Sequence, residues 1–226
     1  MKVLFLGNSH TYYNDMPRLF AMMCGELTGE EPGVTMLAYS GRSLAWHMEE
    51  FFSLRFELLY GDCDYCVIQQ QAHPFPGEET TAENAEKIVS LCAAGGVKPV
   101  LYMTWAERAH PENAAVMSRV YRKLAEKTGA LLCPVGELFE ATRTGYPEID
   151  LYAGDGEHAS PAGDYLIAAS FAALLTGRGD LSRLSARCLN FRSPDGGIVR
   201  DPASAVSALD EKTAAVLKAL AERAAV

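Results

Sequence analysis

Short apolar runs alternate with longer segments of helical periodicity along this chain, and this alternation limits its fold more than any other feature. Nearly continuous apolar runs bounded by turn residues are typical of parallel strands that are covered on both faces and joined by crossover helices. Five such runs occur: Lys2–Leu6, Val34–Tyr39, Tyr65–Gln69, Lys98–Tyr102 and Ala130–Pro134. We therefore predict an α/β fold with a fully buried, five-stranded parallel sheet.

Capping residues, prolines and glycines mark helices between these runs. One helix is expected to open with a capping box at Thr80–Glu83, and a loop-rich passage is expected after the fifth run. The predicted helices extend from Asp15 to Gly29, from Ser43 through Phe52, from Thr80 to Gly95, from Pro111 to Gly129 and from Ser160 to Gly177.

Periodicity is lost in the last part of the chain. Residues 178–209 hold five Arg against three Asp, and we interpret them as an irregular surface excursion. Residues 210–226 follow an i, i+3, i+4, i+7 apolar stripe, which predicts an amphipathic C-terminal helix. Without repeats or a linker, residues 1–226 are expected to form a single domain.

Charge and composition exclude several classes of function. The chain has 20 Lys and Arg against 29 Asp and Glu, a net charge of −9, so it would repel a nucleic acid backbone. The apolar stretch at the N-terminus is too short for a signal peptide, and no stretch is long enough to span a membrane. Six dispersed cysteines fit a reducing compartment, so we expect a cytoplasmic protein without a membrane partner.

Motifs for a metal or a cofactor are weak or missing. Cys63 and Cys66 have the spacing of half a zinc site, but two further ligands would be needed, and we interpret both as core or strand-edge thiols. Neither a Walker motif nor a dinucleotide-binding glycine pattern is present. We therefore expect no metal and no cofactor.

Polar residues follow the carboxyl ends of the first three predicted strands, where ligands bind in open α/β sheets. A glycine and a hydroxyl follow the first run, a glycine turn follows the second, and a polar cluster follows the third. These segments are Gly7-Asn8-Ser9-His10-Thr11, Ser40-Gly41-Arg42-Ser43 and Gln69-Gln70-Gln71-Ala72-His73. Their positions predict a cleft at this edge of the sheet.

A fourth polar segment lies directly before the apolar helix that begins at Ser160. Its Asp155-x-x-His158 spacing covers about one turn, so the carboxylate can bind one ring nitrogen and leave the other as a general base. If Ser9 reaches that nitrogen, its hydroxyl becomes a nucleophile. Backbone N–H groups of Ser9 and Gly41 and a glutamine amide would then stabilise an oxyanion.

The order of these motifs resembles the SGNH-type, GDSL-like hydrolases over roughly residues 2–177. The resemblance rests on Gly-Asn-Ser in place of Gly-Asp-Ser, on Gly41, on Asp155-x-x-His158 and on the segment from Ser160 to Leu166. It implies a flavodoxin-like three-layer α/β/α sandwich, with Ser9 as nucleophile, His158 as base and Asp155 as the residue that orients the base.

Two features depart from the family pattern. The third motif usually supplies an Asn as oxyanion donor, and here strand alternation favours Gln69 or Gln71, with His73 as a substitute. The second departure is Asn8 in place of Asp. The Gly-Asn-Ser-x-Thr form resembles a poorly characterised branch of the family, from which no substrate carries over.

The expected function is therefore that of a serine hydrolase that cleaves a carboxylic ester through an acyl-enzyme. A short acyl group such as acetyl, on a carbohydrate or small alcohol, is favoured because no long apolar lid segment is visible. The alternatives are a noncatalytic carbohydrate- or metabolite-binding module and an acyltransferase with the same triad. Possible substrate contacts are Asn8, His10, His73 and Trp105.

Overall fold

A computed structural model describes residues 1–193, 195 and 197–225. Residues 194 and 196 of the predicted excursion and residue 226 of the predicted C-terminal helix lie outside the described residues. The chain divides into two compact units, Met1–Thr11 with Pro32–Glu137 and Tyr12–Glu31 with Leu138–Val226. The single domain over residues 1–226 stays a prediction.

The first unit contains a parallel sheet of five strands in the order β2-β1-β3-β4-β5. The strand order reverses between β1 and β3, which is where ligands bind in doubly wound sheets. All five predicted strands are confirmed, with each bound within one residue of its predicted position: β1 (Lys2–Gly7), β2 (Gly33–Ala38), β3 (Tyr65–Ile68), β4 (Lys98–Tyr102) and β5 (Leu131–Cys133).

The prediction that the sheet is fully buried is wrong at its edges. In the inner strand β1, Phe5 is completely buried, whereas Met36 in the edge strand β2 is 45% exposed and Leu131 in the edge strand β5 is 41% exposed. Apolar and β-branched residues favour a strand whether it is internal or at an edge, so a continuous apolar run predicts the strand better than its burial.

The helices between these strands mostly agree with the capping signals. Ser43 caps a helix by accepting a hydrogen bond from Trp46 N at 3.3 Å, but the predicted helix through Phe52 is divided into two. The capping box at Thr80 is wrong, because the helix already begins at Glu78. The helices that lie wholly or partly in this unit are α1 (Ser9–Tyr12), α3 (Leu44–Glu49), α4 (Phe52–Tyr60), α5 (Glu78–Gly95), α6 (Asn113–Thr128) and α7 (Val135–Gly145).

Helix α7 replaces part of the loop-rich passage that was expected after the fifth strand. Its residues Val135, Leu138, Phe139 and Thr142 are all buried, and they follow the i, i+3, i+4, i+7 stripe of an amphipathic helix. The signal was therefore present in the sequence. The helices that lie wholly in the second unit are α2 (Met16–Thr28), α8 (Pro161–Thr176) and α9 (Glu211–Ala221).

The segment after α8 is not the irregular surface excursion that was predicted. Strands β6 (Arg187–Leu189) and β7 (Val206–Ala208) pair in antiparallel fashion, and Leu181 and Cys188 are almost completely buried. Strands of three residues are too short to show an alternation in the sequence. Among the described residues, no helix is both long enough and apolar enough to cross a membrane.

Candidate active site

The loop after β1 is held by a buried glutamine from the end of β3. Gln69 Oε1 accepts hydrogen bonds from Asn8 N at 2.7 Å and from Thr11 Oγ1 at 3.0 Å, and Gln69 Nε2 donates to Gln70 O at 2.5 Å. Gln69 is completely buried, so these bonds are shielded from water. Ser9 lies between the anchored residues and is itself half-buried, which leaves part of it exposed.

Position 7 must be a glycine because there is no room for a side chain beside Gln69 and Thr11. A Cβ atom at this position would lie 2.2 Å from Gln69 Oε1 and 2.6 Å from Thr11 Oγ1, far inside the van der Waals limit. The close approach of the backbone to the Gln69 amide therefore requires the absence of a side chain.

Asn8 connects the loop after β1 with the turn after β2. Its Nδ2 donates to Arg42 O at 3.0 Å, its Oδ1 accepts from His10 N at 3.0 Å, and only 2% of the residue is exposed. Asn8 therefore joins the two loops, and its role as a substrate contact stays a prediction.

The turn after β2 places Gly41 in a left-handed conformation. Arg42 N donates to Tyr39 O at 3.1 Å, and Gly41 has a φ of 68° at the third position of this turn. Glycine adopts this conformation without strain, as in a type II turn. Gly41 is exposed, so its backbone N–H lies at the surface of the turn.

His47 fixes the start of the next helix to β1. His47 Nε2 donates to Gly7 O at 2.8 Å, since a carbonyl oxygen can only accept, and the ring is buried. Burial lowers the pKa of His47, although its hydrogen bond to Gly7 raises it in part. His47 is thus a neutral structural residue.

The three glutamines after β3 have different environments. Gln70 Oε1 accepts from Leu44 N at 3.0 Å and from Gln71 N at 2.9 Å, and Gln70 Nε2 is buried with no partner among the described residues. Gln71 is half-buried. Because β3 ends at Ile68, the alternation that placed Gln69 and Gln71 on one face does not extend to them. Gln69 is already bound in the loop, and Gln71 is the glutamine with an exposed part.

His10, His73 and Trp105 form one cluster. His10 Nε2 and His73 Nδ1 lie 3.0 Å apart, and His73 Nε2 lies 3.1 Å from Trp105 O. The carbonyl fixes a proton on His73 Nε2, so in a neutral ring Nδ1 accepts and His10 Nε2 is the donor. The Trp105 side chain is almost completely buried, with its ring 5.4 Å from that of His10.

In the second unit, the structure joins Asp155 and His158 as predicted. Asp155 Oδ2 accepts from His158 Nδ1 at 2.7 Å, and Asp155 Oδ1 accepts from the backbone N–H groups of Glu157 and His158, both at 2.9 Å. The carboxylate holds a proton on Nδ1, so the neutral imidazole has its acceptor at Nε2. Burial raises the pKa of Asp155, but the hydrogen bonds from Glu157 and His158 outweigh it and lower the pKa.

The backbone on both sides of this loop is fixed. Ala153 N donates to His158 O at 2.8 Å, and Ser160 N donates to Leu151 O at 2.9 Å. Ser160 also caps α8, where its Oγ accepts from Gly163 N at 3.1 Å. The loop therefore presents His158 from a defined position just before a buried helix.

Among the described residues, no group of three or more His, Cys, Asp or Glu side chains is placed to hold a metal ion. Cys66 is buried in β3 and Cys63 is half-buried just before that strand. These positions agree with the interpretation of both residues as core or strand-edge thiols.

Comparisons with known proteins support the fold. The sequence matches no protein-family model and no curated protein. A lipase/acylhydrolase from Enterococcus faecalis is similar in structure, with a TM-score of 0.63, 18% identity and coverage of 79% of this chain and 97% of its own. A member of the lipolytic G-D-S-L family from Veillonella parvula has a TM-score of 0.60, 16% identity and coverage of 77% and 97%.

A catalytic mutant of an acetylxylan esterase from Geobacillus stearothermophilus is also similar, with a TM-score of 0.58, 17% identity and coverage of 77% of this chain and 92% of its own. The chain has the SGNH-hydrolase fold. The flavodoxin-like α/β class predicted from the sequence is therefore confirmed, and the strand order agrees with it.

The glutamine row after β3 stands where the sequence resemblance places the third motif. Its first two members, Gln69 and Gln70, brace neighbouring loops. Both ring nitrogens of His73, the substitute donor, have partners within the histidine cluster. Of the three glutamines, Gln71 is the one whose side chain is not buried, and the identity of a third oxyanion donor stays a prediction.

Sequence reasoning missed Tyr13 and Asn14. The Tyr13 ring stacks on His158, with centroids 4.3 Å apart and planes inclined by 17°, and Asn14 is buried beside it. His158 is 145 residues further along the chain, so no local spacing connects the two rings. The pair Asn14-Asp15, two residues that tolerate a left-handed backbone, is the only signal of an unusual turn.

Proposed function

We propose that this protein is a serine ester hydrolase in which Ser9 is the nucleophile, His158 the general base and Asp155 the residue that orients the base. The observation that carries this proposal is the 2.7 Å bond between Asp155 Oδ2 and His158 Nδ1, which fixes the tautomer with an acceptor at Nε2. The proposal requires Ser9 Oγ to come within hydrogen-bond reach of that nitrogen during catalysis.

The reaction would proceed in two steps through an acyl-enzyme. Ser9 Oγ attacks the ester carbonyl carbon while His158 Nε2 takes the hydroxyl proton, and His158 then returns that proton to the departing alcohol. Water then attacks the acyl-enzyme while His158 Nε2 takes its proton, the bond to Ser9 Oγ breaks as the imidazolium returns the proton to that oxygen, and the acid is released. The Asp155 carboxylate stabilises the imidazolium in both steps, and its low pKa keeps it ionised at neutral pH.

The oxyanion would bind to the backbone N–H groups of Ser9 and Gly41 and to the side-chain amide of Gln71. Removing one such donor typically lowers kcat by about 10²–10³-fold. The buried Gln69 and Gln70 side chains support this arrangement by bracing the loops after β1 and β2.

The proposed substrate is a short acyl ester, such as an acetyl ester, of a carbohydrate or small alcohol. Acetylxylan esterases are among the proteins with a similar structure. We propose that the half-buried His73 ring lines the site of the alcohol, with the buried His10 and Trp105 behind it. We propose a cytoplasmic enzyme without nucleic acid or membrane partners, in keeping with its acidic charge.

A fluorophosphonate probe, which reacts covalently with activated serines, tests the assignment. We expect labelling of the wild type, no labelling of Ser9→Ala and labelling at least 10³-fold slower in His158→Ala. The matched control is His110→Ala, an exposed histidine that pairs with the neighbouring Glu112. Labelling of Ser9→Ala at the wild-type rate would exclude Ser9 as the nucleophile.

A panel of esters with increasing acyl length, including acetylated sugars, tests the substrate class. We expect the highest kcat/KM for acetyl esters and none for Ser9→Ala. Transfer of the acyl group to an added alcohol in preference to water would identify an acyltransferase. A folded wild type that binds acetylated sugars without labelling or turnover would identify a binding module.

A further inference from the structure

The proposed base forms a stack with two side chains from distant parts of the second unit, Tyr13 and Arg192. The Tyr13 ring lies on the His158 imidazole with centroids 4.3 Å apart and an interplanar angle of 17°. The Arg192 guanidinium lies 4.3 Å from the centroid of the same Tyr13 ring. Parallel contact of this kind restricts rotation of the imidazole, and a tyrosine face also attracts cations.

Asn14 connects the backbones that carry all three stacked residues. It directly follows Tyr13, its Nδ2 donates to Ala159 O at 3.3 Å, next to His158, and its Oδ1 accepts from Phe191 N at 3.2 Å, next to Arg192. Asn14 is only 4% exposed. A single buried amide therefore sets the relative positions of the three stacked residues.

The backbone at this point is itself unusual. Asn14 and Asp15 have φ angles of 51° and 58°, in the left-handed region that Asn and Asp tolerate better than most residues. Asn14 Nδ2 also donates at 2.9 Å to Asp164 Oδ2, a completely buried carboxyl. Burial raises the pKa of Asp164 well above its usual range, and the Asn14 bond offsets this only in part.

We propose that Tyr13 is a positioning residue that holds the His158 imidazole in the orientation required for proton transfer. The bond to Asp155 Oδ2 holds the ring at Nδ1, and the Tyr13 ring lies against one face of the imidazole. The first contact sets the direction of the ring nitrogens, and the second restricts the tilt of the ring plane. This inference rests on the proposed function, because it concerns the same general base.

The kinetic test compares aromatic with non-aromatic residues at position 13. We expect Tyr13→Leu and Tyr13→Gln to lower kcat by about 3- to 10-fold with little change in KM, in line with the strength of aromatic contacts. Tyr13→Phe keeps the stacked face and should retain kcat within about twofold. Tyr13 is half-buried, so both non-aromatic variants leave the core in place. The matched control is Tyr60→Leu, at a tyrosine that is 67% exposed.

A turnover-independent readout separates this inference from the proposed function. In the wild type and in Tyr13→Phe, the His158 ring protons should show an upfield ring-current shift in the NMR spectrum, and this shift should disappear in Tyr13→Leu. A wild type that keeps the shift but has no esterase activity and no labelling at Ser9 would overturn the proposed function alone.

Two results would overturn the role of Tyr13 in an active enzyme. The first is an unchanged kcat in both non-aromatic variants. The second is an equal loss in Tyr13→Phe and Tyr13→Leu, which would assign the effect to the hydroxyl group and exclude the stacked face.

Discussion

The loop that carries the proposed nucleophile and the loop that carries the proposed base are stabilised in opposite ways. The loop around Ser9 depends on Gln69, a completely buried residue that is 61 positions away from Asn8. The loop of His158 depends on Asp155, a partly exposed carboxylate three positions away. The first loop is fixed by long-range buried contacts, whereas the carboxylate–imidazole pair of the second is held by a local turn, with a long-range contact from Asn14 only at the adjacent Ala159.

Because the two loops are held differently, substitutions in them should affect different quantities, stability in the first loop and turnover in the second. A buried donor or acceptor that loses its partner typically costs about 1–3 kcal/mol, whereas exposed charged contacts contribute little. Changes at Gln69 should therefore lower the free energy of unfolding, and changes at Asp155 should lower turnover while the protein stays folded.

The largest effect is expected for Asp155→Asn. The amide oxygen can still accept from the backbone N–H groups of Glu157 and His158, but the amide NH₂ would face His158 Nδ1 and favour the tautomer with a proton on Nε2. We expect kcat to fall by about 10²–10⁴-fold, while the free energy of unfolding changes by less than about 1 kcal/mol.

Steady-state kinetics and urea unfolding measure both quantities on the same preparation. Asp201→Asn is the matched control, because Asp201 is an exposed carboxylate that also accepts a local backbone bond, from Ala203 N. A loss of stability as large as the loss of activity would contradict the comparison between the two loops.

The reverse outcome is expected for Gln69→Leu. This variant leaves Asn8 N and Thr11 Oγ1 without their buried acceptor, and the free energy of unfolding should fall by about 3 kcal/mol. Gln71→Leu, at the half-buried neighbour, should change stability by less than about 1 kcal/mol. Equal urea midpoints for the two variants would show that Gln69 does not stabilise the loop.

The same contrast, between contacts that are local and contacts that are distant along the chain, explains which contacts the sequence could predict. Asp155 and His158 are three residues apart, so their contact follows from local geometry, and the spacing was sufficient to predict the 2.7 Å bond. Gln69 and Tyr13 act on residues 58 to 145 positions away, where only the fold determines contact. Strand alternation could not assign Gln69, because β3 ends one residue before it.

Elements of secondary structure could be predicted where the apolar pattern of the sequence around them is long enough to be recognised. Runs of five or six residues identified the strands of the sheet, and the bounding glycines located most of the helices. Strand β5 has only three residues but lies inside a longer apolar run, whereas β6 and β7, of the same length, have no such run around them, so their segment looked irregular. Burial at the edges of the sheet depends on neighbours, which an apolar run does not specify.

An effect of intermediate size is expected for Gly7→Ala. The new Cβ would lie 2.2 Å from Gln69 Oε1, and displacing an amide with three hydrogen bonds should cost about 1–3 kcal/mol. The double variant Gly7→Ala with Gln69→Leu should be less destabilised than the sum of the single variants, because both disturb the same contact. Additive changes in the free energy of unfolding would show that the methyl group is accommodated elsewhere.

The smallest expected effect is a pH dependence of stability that arises from His47, whose ring is bonded to Gly7 O at the start of the loop that carries Ser9. Because burial lowers the pKa of His47, the unfolded chain binds the proton more readily, and stability should fall as the pH drops below about 6.5, the pKa of an unfolded histidine. The fall continues to the lower pKa of the folded state, with a slope of at most about 1.4 kcal/mol per pH unit. His47→Gln keeps an Nε2 donor for Gly7 O but does not titrate. The difference in unfolding free energy between wild type and variant should therefore decrease from pH 7.5 to pH 5.5, and parallel curves would exclude His47 as the source.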